Sequence, residues 1–232
     1  MRLLLLSNST NYGSGYLDHA MAEVLRFLGP VHRLVFVPFA LRDQTAYTAK
    51  ARARFVREAI EVTGLTPDAT GHKLLAAAEA VFVGGGNTFR LLDRLQRSGL
   101  LAVLRERVQG GMPYLGASAG TNIAAPTLKT TNDMPILQPP SFEALGLVPF
   151  QINPHYLDAD PGSRHMGETR EDRLREYLEE NTAPVVALRE GAWLRREGHG
   201  LRLAGAAARL FRRAAEPEEL APGAALDELL AG

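Results

Sequence analysis

Short apolar runs alternate with longer stretches of mixed polarity through the first half of the chain. Leu3–Leu6 is wholly apolar and ends in Ser7-Asn8-Ser9-Thr10. Arg33–Phe39, Ile60–Gly64, Ala80–Val83 and Pro113–Leu115 are further short runs, and each predicts a strand. Between them, Tyr16–Leu28 carries apolar residues at helical spacing, and Ala46–Ala59 reads as a basic, solvated helix. His72–Glu79 predicts a short helix, and Thr88–Gln109 predicts helix broken near Ser98-Gly99. Near-continuous apolar strands are expected where helices cover both faces of a sheet. The alternation therefore predicts an α/β fold with a mostly parallel sheet flanked by helices on both faces.

Past Ile123 the pattern loosens. Thr127–Phe150 holds four prolines and predicts loop. Leu147–Ile152 predicts a strand, Glu168–Glu180 a charged amphipathic helix and Pro184–Leu188 another strand. Trp193–Leu203 alternates around Glu197-Gly198-His199-Gly200, the pattern of a C-terminal antiparallel hairpin. The acidic, proline-containing tail from Ala215 predicts partly frayed chain. No internal repeat or long linker divides residues 1–232, which read as one domain.

Composition narrows the function classes. With 232 residues and 46% hydrophobic content, the chain is long enough for a full core. Lys+Arg and Asp+Glu number 26 each, so no net field favours nucleic acid or an anionic membrane surface. The absence of cysteine excludes disulfides, thiolate metal sites and a cysteine nucleophile. The N-terminal apolar run falls short of the roughly 7–15 residues of a secretory signal, and no run approaches the ~18 of a membrane span. A cytoplasmic setting is the expectation.

In open α/β sheets, sites gather at the carboxyl ends of strands. Four polar loops fall there: Ser7–Thr10, Gly84–Thr88, Gly116–Gly120 and Asn153–His155. Gly116-Ala117-Ser118-Ala119-Gly120 has the small-x-Ser-x-small form of a nucleophile elbow, whose tight turn exposes the serine beside the next backbone N–H. Gly84-Gly85-Gly86-Asn87-Thr88 suits a phosphate cradle, half of an oxyanion hole with the Gly86 and Ala119 N–H groups opposed, or a plain tight turn. A dinucleotide fingerprint needs glycine where Phe89 stands, and no Gly-Lys-Ser/Thr follows. His155, stiffened by Pro154, suits a general base. Three readings compete with it: a histidine that bonds a loop carbonyl, a surface residue, or a metal site built from His155, Asp158, Asp160 and His165, whose spacing is loose. His19, four residues before Glu23, reads as helix surface. Asp133, in a polar proline-bounded loop, and Glu190, at a strand end, are both placed to orient His155, and the residues alone do not choose between them.

Seven segments in order carry a resemblance: residues 3–10, Val-Gly-Gly-Gly-Asn-Thr-Phe (83–89), Ser-Ala-Gly (118–120), Thr-Thr-Asn-Asp-Met-Pro-Ile (130–136), Gln-Ile-Asn-Pro-His (151–155), Gly-Glu-Thr-Arg-Glu (167–171) and Glu-Gly-x-Trp (190–193). Together they resemble the peptidase E family of aspartyl dipeptidases across nearly the whole chain. The resemblance implies a flavodoxin-like or class I glutamine-amidotransferase-like fold and a serine dipeptidase acting on Asp-X dipeptides. It implies Ser118 as nucleophile, His155 as base, Asp133 or Glu190 as the third member, and the Gly86 and Ala119 amides as oxyanion hole. Recognition of the aspartate side chain calls for a cation, for which Arg170 is the candidate, with Asn87 as an extra donor. The competing role for Arg170 is a helix-terminal surface charge paired along its own helix. No cofactor or metal is required, the partner is a small peptide, and the chain is expected as monomer or homodimer. The chain departs from the family where Ala117 replaces a frequent Trp and Thr121 a frequent Ala. An opened pocket beside the elbow or a changed leaving-group preference is the expected consequence at Ala117. Two rival readings are a cyanophycinase-like hydrolase of β-aspartyl bonds and a non-catalytic small-molecule binder using Gly84–Thr88.

Overall fold

Strands β1 (Arg2–Leu6), β2 (Arg33–Val37), β3 (Glu61–Gly64), β4 (Ala80–Val83) and β5 (Tyr114–Ala117) lie parallel in the order β3-β2-β4-β5-β1. These coordinates are a computed structural model that describes residues 1–160, 162, 164 and 166–231. The expected hairpin, β8 (Ala192–Glu197) and β9 (Gly200–Gly205), continues the same sheet antiparallel beyond β1. Helices α1 (Met21–Leu28), α2 (Gln44–Phe55), α3 (Ala69–Ala76), α4 (Thr88–Arg97), α5 (Leu100–Gln109) and the single turn α6 (Ala119–Asn122) connect the strands.

The apolar runs are buried on both faces, as their lack of alternation requires. Leu4 and Leu6 join one cluster with Val24, Phe27 and Phe55 of α1 and α2. Leu3 and Leu5 face another that contains Leu91 and Leu104 of α4 and α5. The Ser98-Gly99 break divides α4 from α5 where expected, with Gly99 at φ 73°.

A second sheet departs from the sequence reading. Strands β6 (Gln151–Tyr156), β7 (Val185–Arg189), β10 (Ala208–Phe211) and β11 (Glu218–Leu220) pair in the order β11-β10-β7-β6. Its Val186 and Leu188 share the core cluster of Leu3 and Leu5, and α7 (Arg170–Glu180) covers its other face through Leu174 and Leu178. Apolar runs announce strands but not their partners, because pairing is decided by long-range packing.

Several expectations shift, among them the helix expected over 72–79, which spans Ala69–Ala76. The strand expected over 147–152 begins at Gln151, after Pro149, and runs to Tyr156. The helix expected from Tyr16 starts at Met21, because Leu17 takes a left-handed φ of 62°. The helix expected over 46–59 ends at Phe55, giving way to a 3-10 turn, and buries Tyr47, Ala51 and Phe55. The tail is held rather than frayed: β11 pairs with β10, and Asp227 accepts a bond from the Leu201 amide. Among the described residues, no helix is long and apolar enough to cross a membrane.

Candidate active site

β5 turns into α6 at Ser118, whose backbone sits at φ 54°, ψ −110°. A non-glycine residue there stores strain on the order of 1–3 kcal/mol. The surrounding small residues are obligatory. A Cβ on Gly120 would lie 2.1 Å from the Val83 carbonyl oxygen, and one on Gly116 would lie 2.7 Å from that of Gly120. Gly85 packs against the serine itself, since a Cβ there would meet Ser118 Cβ at 2.9 Å. The turn is pinned by the Ser118 amide donating to Leu6 O at 3.1 Å. The Thr121 hydroxyl donates to the same oxygen at 2.6 Å, so Thr121 anchors the elbow to β1. Ala117 is fully buried in the cluster that Trp193 flanks and lines neither cleft at the serine.

His155 lies within β6, where the register with β7 slips between Asn153 and Tyr156. The residue pattern places it after a strand, whereas the strand runs through it to Tyr156. β6 is the edge of its sheet, so Pro154 breaks no interior ladder, and the bulge lets His155 adopt φ 54° and turn its ring toward Ser118. His155 Nε2 lies 2.9 Å from Ser118 Oγ, and His155 Nδ1 lies 2.9 Å from Glu190 Oε1. An Nδ1–H donated to Glu190 leaves Nε2 free to accept the serine proton.

Two residues of the first polar loop hold this geometry, and no role was read for either in the sequence. The His155 amide donates to Ser7 Oγ at 2.9 Å, and Ser7 Oγ donates to Leu188 O at 2.9 Å. Asn8 Oδ1 accepts from the Gly191 amide at 2.9 Å, fixing the turn that carries Glu190. The signal available was their place at the end of a buried strand. His19 precedes α1 instead of lying on its surface, and Glu23 is buried against Arg26 and Arg195.

Asp133 is held elsewhere. Its Oδ2 accepts from the Thr88 amide at 2.7 Å and the Thr88 hydroxyl at 2.6 Å, at the start of α4. Asn132 donates to Pro154 O and Asn153 donates to Thr130 O, so this loop is stitched to β6. Asp133 lines a recess of about 20 Å³ with Thr88, Ser118, Asn122 and His155. A second, larger cleft of about 290 Å³ also opens at the serine, lined by residues that include Asn8, Tyr16, Leu41, Lys50, Gly86, Ser118 and His155. Among the described residues, the amides of Gly86 and Ala119 donate to no protein acceptor.

Arg170 opens α7, half-buried, with no hydrogen bond or ion pair among the described residues. Burial and the neighbouring Arg173 push its pKa down, and the charge of Asp133 opposes them. The surface pairing along its own helix is not made, because positions 173 and 174 are Arg and Leu. Asn87 caps α4 by accepting from the Arg90 amide and donates to Met134 O. Of the alternative metal set, Asp158 pairs with Arg189 and Asp160 accepts from the Gly162 amide, while His165 lies outside the described residues.

A serine on a strained strand-to-helix turn, bonded in series to an imidazole and a carboxylate over an α/β sheet, defines a serine-hydrolase type of site. Comparison with known proteins narrows that class. The chain belongs to peptidase family S51, whose pattern its residues 3–204 match. It is 61% identical over 231 residues to a "Peptidase E" of Streptomyces coelicolor, covering 99% of this chain and 95% of that protein. It is 50% identical over 232 residues to a "Probable alpha-aspartyl dipeptidase" of Drosophila melanogaster, covering 98% and 97%. Among solved structures, a peptidase from an acI-B1 Actinobacterium superposes with a TM-score of 0.72 at 17% identity over 97% of this chain and 96% of that one. That likeness bears on the fold alone.

Proposed function

We propose that this peptidase is a serine dipeptidase that hydrolyses Asp-X dipeptides, as the name of the Drosophila relative suggests for that protein. The observation that carries the reading is the relay from Ser118 through His155 to Glu190, two bonds of 2.9 Å, beside two unengaged main-chain donors. His155 takes the Ser118 proton as Oγ attacks the carbonyl of the aspartyl residue. The Gly86 and Ala119 N–H groups meet the negative charge on oxygen, each such donor contributing about 3–4 kcal/mol to a transition state of this kind. The imidazolium protonates the leaving amine, and water then releases aspartate from the acyl-enzyme with His155 again as base.

Glu190 orients the imidazole and stabilises its charged form. Asp133, which the resemblance also offers for that role, sits in a recess just large enough for one water-sized group, and the α-ammonium of the substrate suits it in size and charge. Arg170, without a protein partner among the described residues, reads the aspartate side chain, and the remaining Asn87 N–H is an auxiliary donor. In this reading the enzyme works in the cytoplasm on small peptides, as monomer or homodimer, with no cofactor or metal.

Hydrolysis of X-Leu dipeptides with X as Asp, β-Asp, Glu, Asn or Ala tests it. Asp-Leu is expected to exceed the others in kcat/KM by at least about tenfold, the worth of one charge-assisted contact. Fastest cleavage of the β-linked peptide moves the assignment to β-aspartyl hydrolysis. No cleavage, with no labelling of Ser118 by a fluorophosphonate, makes the chain a binder.

A further inference from the structure

Two openings of opposite electrical character meet at Ser118. The small recess carries the carboxylate of Asp133. The larger cleft has no Asp or Glu among its lining residues and one Lys, Lys50 of α2. The Lys50 ammonium lies 4.5 Å from the centroid of the Tyr16 ring, which fixes its position over an aromatic face. Tyr16 is itself set by an edge-on contact with Tyr47, at 6.4 Å between ring centroids. Lys50 makes no hydrogen bond or ion pair among the described residues, although its neighbours Arg52 and Arg54 are both engaged.

A free dipeptide is a zwitterion with an ammonium before the scissile bond and a carboxylate after it. With the ammonium end at Asp133, the leaving residue extends into the cleft of Lys50. One residue spans at most about 3.6 Å, so the terminal carboxylate stays within that cleft. The donors of the oxyanion hole stand at the boundary, since Gly86 lines the cleft and Ala119 the recess.

We propose that Lys50 is a specificity-determining residue that binds the C-terminal carboxylate of the leaving residue, and so makes the enzyme prefer dipeptides over blocked or longer peptides. The assignment rests on the dipeptidase reading above. A lysine suits the task because its compact ammonium meets a carboxylate from several directions, whereas Arg170 offers a planar fork to a side-chain carboxylate.

The test compares Asp-Leu with Asp-Leu amide, using the wild type, Lys50→Met and Lys50→Arg. Position 50 is exposed on a helix where Met is well tolerated, so folding is retained. The wild type is expected to favour Asp-Leu over the amide by about fivefold to tenfold, mostly through KM. Lys50→Met is expected to lose that factor on Asp-Leu and to change less than twofold on the amide, and Lys50→Arg to keep the preference. An equal loss on both peptides, an unchanged Asp-Leu rate in Lys50→Met, or a wild type indifferent to the amide overturns the assignment while leaving the dipeptidase reading intact. A wild type that cleaves neither peptide fails at that earlier reading, and the role of Lys50 falls with it.

Discussion

Asp133 and Glu190 are two carboxylates beside one histidine, and their settings differ in every respect that governs a carboxylate's role. Asp133 sits against the first turn of α4, with one oxygen taken by the Thr88 amide and hydroxyl. Negative charge is favoured there by the helix dipole and by two charge-assisted bonds. Glu190 stands half-exposed in the turn between β7 and β8, and its bonded partner is the imidazole. The contrast teaches that proximity to a site does not assign a carboxylate's task. What assigns it is where its hydrogen bonds go, and neither loop advertises that in its residues.

Ser118→Ala removes the group that both acids are arranged around. Asp-Leu turnover should fall by about 10⁴-fold or more, while thermal unfolding stays within a few degrees of wild type. Retained turnover in that variant, measured with purified protein, would dissolve the comparison altogether. Glu190→Gln should come next, with kcat reduced about 10- to 100-fold and KM little changed. That is less than the loss seen for a buried triad acid, because Glu190 is half-exposed. Asp133→Asn should act mainly by raising KM. If steady-state kinetics show the opposite split, with kcat lost at 133 and KM at 190, the two roles are exchanged.

Arg170→Met should raise KM for Asp-Leu about tenfold and leave any residual Ala-Leu cleavage unaffected. An equal effect on both peptides means that the guanidinium does not read the aspartate side chain. The smallest effect belongs to Thr88→Val, which deletes one donor to Asp133 and keeps the shape. It should cost about 1 kcal/mol of stability, visible in denaturant midpoints, and perturb kcat less than Glu190→Gln does. A larger kcat loss at Thr88 would tie Asp133 to the chemistry more directly than its bonding indicates.

The parallel sheet was legible because its strands are unbroken apolar runs, and the break at Ser98-Gly99 because glycine marks it. The elbow was legible for a steric reason: only Gly116 and Gly120 fit against Gly120 O and Val83 O. The second sheet was not legible, since nothing local to β6 or β7 says that they pair with each other and not with β5. His155 was recognisable as a candidate, but its bulge was hidden, because a register slip is a property of two strands and not of one.

The chain's order of residues by itself thus determined which segments are strands and helices, where a serine can be forced into a strained turn, and which side chains are chemically able to serve it. Those are local matters of periodicity, backbone freedom and functional-group type. Only the tertiary structure decided that Glu190 meets His155, that Asp133 turns to Thr88, and that Ser7 and Asn8 pin the loops from across the sheet. Each of those contacts joins residues far apart in the chain, and their geometry depends on how two sheets pack, which no single stretch of sequence encodes.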